Sequence, residues 1–200
     1  MRGEFEVAER YLEQARQILS ELGGLGANVS HHEALVRLLS GRPELAEAPL
    51  RRSAEVLSSM SSRGLLATTT AMLAQVLYAQ RRMREAGELS RATAESAAPD
   101  DIITQVIWRG VQAKVLAAEG RCDEAEALAR EAVVLVEPTD LLSHHGDALL
   151  DLAEVLVTCG RHGEPYDVVR AGFALYERKE NTVAAARARA LLRDDMEAPA

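Results

Sequence analysis

Small and apolar side chains recur along this chain with the spacing of helices that bury one face. After Ala8 they fall four, seven and eleven positions later, at Leu12, Ala15 and Leu19. The same spacing follows four further positions, Ala46, Ala86, Ala125 and Pro165. One buried stripe on an α-helix produces this pattern, so the chain is predicted to contain five helices of one kind.

Each of these helices follows a short turn, and the five turns are copies of one motif. They start at Gly3, Gly41, Arg81, Gly120 and Gly160, at separations of 38, 40, 39 and 40 residues. Another helical pattern precedes each internal turn, so the repeating unit is a helical hairpin. We predict ten helices, near residues 4–22, 27–40, 44–60, 63–80, 84–98, 100–119, 123–137, 139–159, 164–178 and 181–194.

The turn residues fit helix ends. Glycine is expected to close the first helix of a hairpin in a left-handed conformation, and the acidic residues that follow, such as Asp123 and Glu124, face the positive end of the next helix. Pro49 falls inside the helix predicted over 44–60, where it forces either a kink or a late helix start.

The fourth turn, Gly120 to Ala125, resembles the tetratricopeptide repeat, with a cysteine in place of the usual aromatic residue. The resemblance covers nearly the whole chain, although the period is near 40 residues and not 34. It implies an all-α solenoid of about five hairpins, forming a single domain over residues 1–194 with a disordered tail over 195–200. Such repeats bind a peptide or helix from another protein along a groove lined by the first helix of each hairpin.

Residues 106–192 also resemble the repeat arrays of large actinobacterial signalling proteins. The similarity lies in residues 108–109 with 113–117, in residues 146–156, and in residues 175–179 with 184–192. Those proteins join a class III nucleotide cyclase or a DNA-binding activator domain to an ATPase module and then to repeats. The resemblance gives an alternative role as a regulatory or dimerisation segment. Because helix 4–22 lacks a first-helix partner, we expect a fragment, a truncated product, or a homodimer that covers this helix.

Composition and charge limit the classes of partner that this chain is expected to bind. The net charge of −8 disfavours nucleic acid, and no apolar run is long enough to span a membrane. A start of Arg2, Glu4 and Glu6 is unlike a secretory signal. Cys122 and Cys159 are therefore expected to be reduced thiols in a cytoplasmic protein.

No motif for catalysis, cofactor or metal binding is complete. Neither lysine, Lys114 or Lys179, follows a glycine as in a phosphate-binding loop. The zinc-protease pattern that begins at His32 has Val36 where the second histidine belongs. Ser143, His144 and Asp147 are the residue types of a hydrolase triad without its strand-turn-helix setting. We predict a chain that is not an enzyme.

The groove of the repeat array is the candidate site. Its acidic carboxyl-terminal end is expected to select a basic segment of a partner protein. Trp108 is expected in the core, with an anchor for the partner as the alternative. The predicted lining residues are Asn28, His31, Leu35, Thr68, Ala71, Gln75, Tyr78, Ile107, Lys114, Asp147, Asp151 and Glu154.

Overall fold

A computed structural model describes residues 2–21, 26–60, 62–161 and 163–197. Within these ranges the chain is all-α, with ten α-helices, one short 3₁₀ helix and no strand. Every helix begins and ends within three residues of its predicted bounds. The helices are α1 (Phe5–Glu21), α2 (Ala27–Leu39), α3 (Glu47–Ser59), α4 (Arg63–Ala79), α5 (Met83–Ser96), α6 (Ile102–Ala118), α7 (Cys122–Val136), α8 (Leu142–Thr158), α9 (Glu164–Arg178) and α10 (Thr182–Glu197).

Backbone conformation at the turns confirms the predicted helix ends. Gly41, Gly120 and Gly160 have φ angles of 72°, 79° and 70°, in the region that side chains with a Cβ avoid. In the fourth turn the Arg121 N–H then donates to the Leu116 carbonyl oxygen, 2.9 Å away. Arg81 occupies the equivalent position without being a glycine and has a φ of 64°.

Pro49 leads to a late start of α3 and not to a kink within it. Pro43–Leu45 form the 3₁₀ helix, and α3 begins at Glu47, so Pro49 lies in the first turn of α3. An N–H in the first turn has no acceptor within its own helix, and proline therefore costs no hydrogen bond there.

The helices form two compact units, one over residues 3–104 and one from Gln105 onward. In the N-terminal unit, α4 packs against both α3 and α5. The large side chains of Leu50 and Leu57 in α3 and Leu77 in α4 are fully buried. Burial of such side chains is the main source of stability for a short helical array.

The C-terminal unit has two adjoining hydrophobic clusters. In the first, Ala117 of α6, Ala125 of α7 and Leu156 of α8 come together with further alanine, leucine and valine side chains of the same three helices. In the second, Ala153 of α8 belongs to one cluster with Tyr176 of α9 and three alanines of α10, which are Ala184, Ala185 and Ala188. Helix α8 belongs to both clusters and is the central helix of this unit.

The last helix reaches Glu197, so the predicted tail over 195–200 overlaps its final turn. Residues 198–200 lie outside the described residues. The single domain expected over 1–194 remains a prediction.

Candidate functional site

Three carboxylates line one face of the central helix of the C-terminal unit. Asp147, Asp151 and Glu154 are spaced four and three positions apart in α8, and side chains at this spacing project from the same side of a helix. We refer to Asp147, Asp151 and Glu154 as the acidic face. Asp147 is exposed, whereas Asp151 and Glu154 are half-buried.

Lys114 of α6 lies next to the middle of the acidic face. Its Nζ donates a hydrogen bond to Asp151 Oδ1 over 2.5 Å and lies 4.0 Å from Glu154 Oε2. The lysine side chain is only 7% exposed. Lys114 therefore acts mainly as a buried counter-ion for Asp151, because a buried ammonium group needs a charged partner.

Gly110, one turn before Lys114, makes room for this ion pair. A Cβ at position 110 would collide with the carboxylate of Asp151. The absence of a side chain at Gly110 therefore lets Asp151 lie directly against α6, within reach of Lys114.

A buried tyrosine holds the first residue of the acidic face. The Tyr176 hydroxyl of α9 donates to Asp147 Oδ1 over 2.7 Å, and Tyr176 is 1% exposed. Its ring packs against Gly146, where a Cβ would lie 2.6 Å from the ring atom Cε1. Burial raises the pKa of the Tyr176 phenol, as does the neighbouring Asp147 carboxylate. Tyr176 is therefore a neutral hydrogen-bond donor to Asp147.

Asp147 itself has a pKa above that of an ordinary aspartate. The protein atoms around it and the nearby Asp151 carboxylate raise this pKa, whereas the Tyr176 hydroxyl, His144 and Arg187 oppose the shift. Because the side chain remains exposed, water limits the size of the shift.

The remaining predicted residues of this unit lie on α6. Ile107 is half-buried, seven positions before Lys114 and therefore on the same side of the helix. Trp108 is also half-buried; its indole N–H donates to Gln105 Oε1 over 3.0 Å, and the Arg109 guanidinium lies 4.3 Å from the ring centroid. Trp108 is thus a partly covered side chain and not a fully buried core residue.

In the N-terminal unit, two of the predicted lining residues, His31 and Thr68, form side-chain contacts with a neighbouring helix. His31 Nε2 lies 2.8 Å from Thr69 Oγ1, which joins α2 to α4. Burial lowers the pKa of His31, as does nearby His32. Thr68 Oγ1 lies 2.8 Å from Thr104 Oγ1 at the start of α6. These contacts give both residues a role in helix packing.

The other predicted residues of the N-terminal unit differ in exposure. Leu35, Gln75 and Tyr78 are half-buried. Ala71 is fully buried, so its side chain has no surface that a partner could touch. Asn28 lies in α2, but its side chain is outside the described residues.

The two cysteines are joined, which corrects the prediction of reduced thiols. Cys122 and Cys159 form a disulfide with their Cα atoms 5.6 Å apart, a separation typical of such bonds. Cys122 begins α7 and Cys159 follows the last residue of α8. Since α7 and α8 are antiparallel neighbours, the start of one lies beside the end of the other. The sequence already placed both cysteines near predicted helix ends in successive repeats, a position that also suits this pairing.

The residues of the possible hydrolase triad and the possible metal ligands do not form a site of either kind in the described ranges. Asp147 is bonded to Tyr176, and Ser143 Oγ has no hydrogen-bond partner, so Ser143, His144 and Asp147 do not form the relay of a hydrolase. Across the described ranges, no three His, Cys, Asp or Glu side chains are grouped so that they could hold a metal ion. None of the helices in those ranges is long and apolar enough to cross a membrane.

The hairpin architecture defines the fold of the chain as a tetratricopeptide-like helical repeat. Solved structures share this fold. NprR in complex with its cognate peptide NprX aligns with a TM-score of 0.70 at 15% identity, covering 98% of this chain and 57% of that one. BtubC from P. vanneervenii aligns with a TM-score of 0.57 at 14% identity over 96% of this chain and 89% of that one.

A third structure, the nearly identical TPR-like repeats of a Podosopora anserina protein, aligns with a TM-score of 0.53 at 18% identity, over 90% of this chain and 96% of that one. At these identities the similarity shows the fold alone. This chain spans little more than half of the NprR chain. No family model matches the sequence, and no curated protein matches it.

Proposed function

We propose that this chain is a non-catalytic scaffold that binds a peptide or helix of a partner protein, and that the acidic face of the C-terminal unit selects basic residues in that partner. The observation that carries the proposal is the alignment of Asp147, Asp151 and Glu154 on one side of α8, with Lys114 already paired to Asp151. The three carboxyl groups of this surface outnumber the two cations beside them, Lys114 and Arg187.

The two outer carboxylates are the best placed to contact a ligand. Asp147 is exposed, and the Glu154 side chain is 41% exposed, so both can accept hydrogen bonds from lysine or arginine. Such partly solvated pairs contribute about 0.2–1 kcal/mol each, and the charge of −8 speeds the approach of a basic partner. That NprR is solved with a peptide supports a peptide ligand for this fold.

A titration with two synthetic peptides tests the proposal. One is an amphipathic peptide rich in lysine, and the other has glutamate at the same positions. We expect the lysine peptide alone to bind, and the double variant D147N/E154Q to bind it roughly threefold to tenfold more weakly, because two ion pairs are lost. This variant keeps Asp151 and Lys114, so the internal ion pair is retained.

The control is D167N/E177Q, which removes two charges from α9. The Asp167 and Glu177 side chains are 75% and 56% exposed, and neither is part of the acidic face. Equal losses of affinity in the control and in D147N/E154Q would show that overall charge, and not this face, determines binding.

A second role as a regulatory or dimerisation segment of a cyclase or ATPase-type regulator rests on the resemblance of residues 106–192 to such arrays. The exposed side chains of α1 favour a role of this chain in dimerisation. Tyr11 and Ile18 lie seven positions apart on this helix and are 68% and 56% exposed, forming an apolar stripe without cover in the N-terminal unit. Sedimentation of the wild type and of Y11E/I18E distinguishes the two roles. A wild-type dimer that is lost in the variant favours dimerisation, and a monomer in both proteins favours the scaffold.

For either role we propose a cytoplasmic location.

A further inference from the structure

We infer that the Cys122–Cys159 bond is a thiol–disulfide exchange site, in which Cys122 is the sulfur that leaves and Cys159 is the sulfur that a small thiol attacks. Both cysteines are half-buried, and Cys159 packs against the hydrophobic cluster shared by α6, α7 and α8. Exchange requires that a low-molecular-weight thiol such as glutathione reach the bond from its solvent side in the folded protein.

The positions of the two sulfurs on their helices are opposite. Cys122 is the first residue of α7, a helix of 15 residues, and Cys159 is the C-cap of α8. The N-terminus of a helix has a partial positive charge and the C-terminus a partial negative charge. A thiolate at Cys122 is therefore stabilised, and a thiolate at Cys159 is destabilised.

Charged side chains around the bond form ion pairs that leave a surplus of acidic groups. Three guanidinium groups, those of Arg121, Arg130 and Arg161, pair with five carboxylates on α7, on α9 and in the preceding turn: Glu119, Asp123, Glu124, Glu126 and Glu164. These pairs are solvated and screened by salt, so we assign the difference between the two cysteines to the helix ends.

This difference sets the order of the reaction. A thiolate RS⁻ attacks Cys159 Sγ, the S–S bond breaks, and the electron pair leaves on Cys122 as its thiolate, because the sulfur of lower pKa leaves faster. The mixed disulfide on Cys159 then reacts with a second RS⁻. The products are RSSR and two protein thiols, so two electrons pass from the small thiol to the chain. In the reverse direction, Cys122 is the attacking thiolate.

Two measurements on the full chain test the inference, and the absence of any other cysteine makes labelling unambiguous. In the first, alkylation rate is followed against pH in C159S and in C122S, after circular dichroism has shown that both variants fold. We expect the midpoint for Cys122 to lie about 0.5 to 1 pH unit below that for Cys159. An equal or higher midpoint for Cys122 would overturn the assignment of roles.

In the second measurement, the oxidised chain is mixed with reduced glutathione, quenched with acid and mapped by mass spectrometry. We expect exchange in the native state, with glutathione on Cys159 and Cys122 free. Exchange that requires denaturant would mean that the bond is a static cross-link, and glutathione on Cys122 would reverse the order of attack; either result overturns the inference.

Discussion

The Tyr176 ring lies against the backbone of Gly146, so that a Cβ at position 146 would be 2.6 Å from Cε1 of the ring. Because Tyr176 is 1% exposed and bonded to Asp147, the ring has no free space to move into. We expect G146A to lower the free energy of unfolding by about 1–3 kcal/mol through overpacking, although alanine usually raises helix stability by about 1 kcal/mol. Urea unfolding measures the change.

Gly64 provides the matched control for this substitution. It also lies in a helix, α4, but nothing lies within 4 Å of a Cβ placed on it. We expect G64A to leave the free energy of unfolding unchanged or to raise it slightly. If G146A were as stable as G64A, the contact between α8 and α9 could not be as close as described.

The ion pair between Lys114 and Asp151 is expected to hold α6 to α8. Replacing the lysine by methionine keeps its length but leaves the half-buried Asp151 carboxylate without its counter-ion, so K114M should lower the free energy of unfolding by about 1–3 kcal/mol. In K114M/D151N the unpaired charge is gone. We expect this double variant to recover part of the loss, with a coupling energy of about 0.5–3 kcal/mol in urea titrations. Additive losses would mean that the two side chains do not interact.

The third hairpin turn has an arginine where the second, fourth and fifth have glycine. Arg81 has a φ of 64°, a conformation that disfavours residues with a Cβ. We expect R81G to raise the free energy of unfolding, or at least not to lower it, because relief of strain offsets the greater freedom of glycine in the unfolded chain. G120R makes the opposite change in the next turn and should be destabilising in the same thermal-unfolding assay. A loss of stability in R81G would show that this turn is not left-handed.

Reduction of the disulfide should lower stability by up to about 4 kcal/mol, the chain-entropy value for cysteines 37 residues apart. The measurement is urea unfolding with and without a reductant. C122S/C159S is the control, since its stability should not respond to the reductant. A wild type that is equally indifferent would show that the two cysteines are not bonded in the folded protein.

Helix bounds and turn conformations were predictable because both depend on local sequence. The stripe after Ala125 fixes the buried face of α7, and Gly120 fixes where α6 ends. The sequence around Pro49 allowed either a kink or a late helix start, and only the packing of the neighbouring helices decided between them. The repeat therefore determined the fold.

The candidate site was less predictable because it depends on contacts between helices. Asp147, Asp151 and Glu154 could be assigned to one face from their spacing, but their partners could not. Lys114 was expected to line the groove, and its pairing with Asp151 depends on the space that Gly110 leaves for the Asp151 carboxylate. Tyr176 lies eleven positions after Pro165, so the repeated spacing predicted its burial but not its bond to Asp147, although a buried phenol usually finds a hydrogen-bond partner. Ala71 fell on the predicted lining because the register alone could not show how closely its neighbours pack.

Hydrogen exchange of the full chain, with and without the lysine-rich peptide, tests most directly whether the acidic face binds basic partners. The account predicts slower exchange in α8 and in the facing part of α6 around Lys114, and no change with the glutamate peptide. Protection confined to other helices, or the same protection with both peptides, would contradict it.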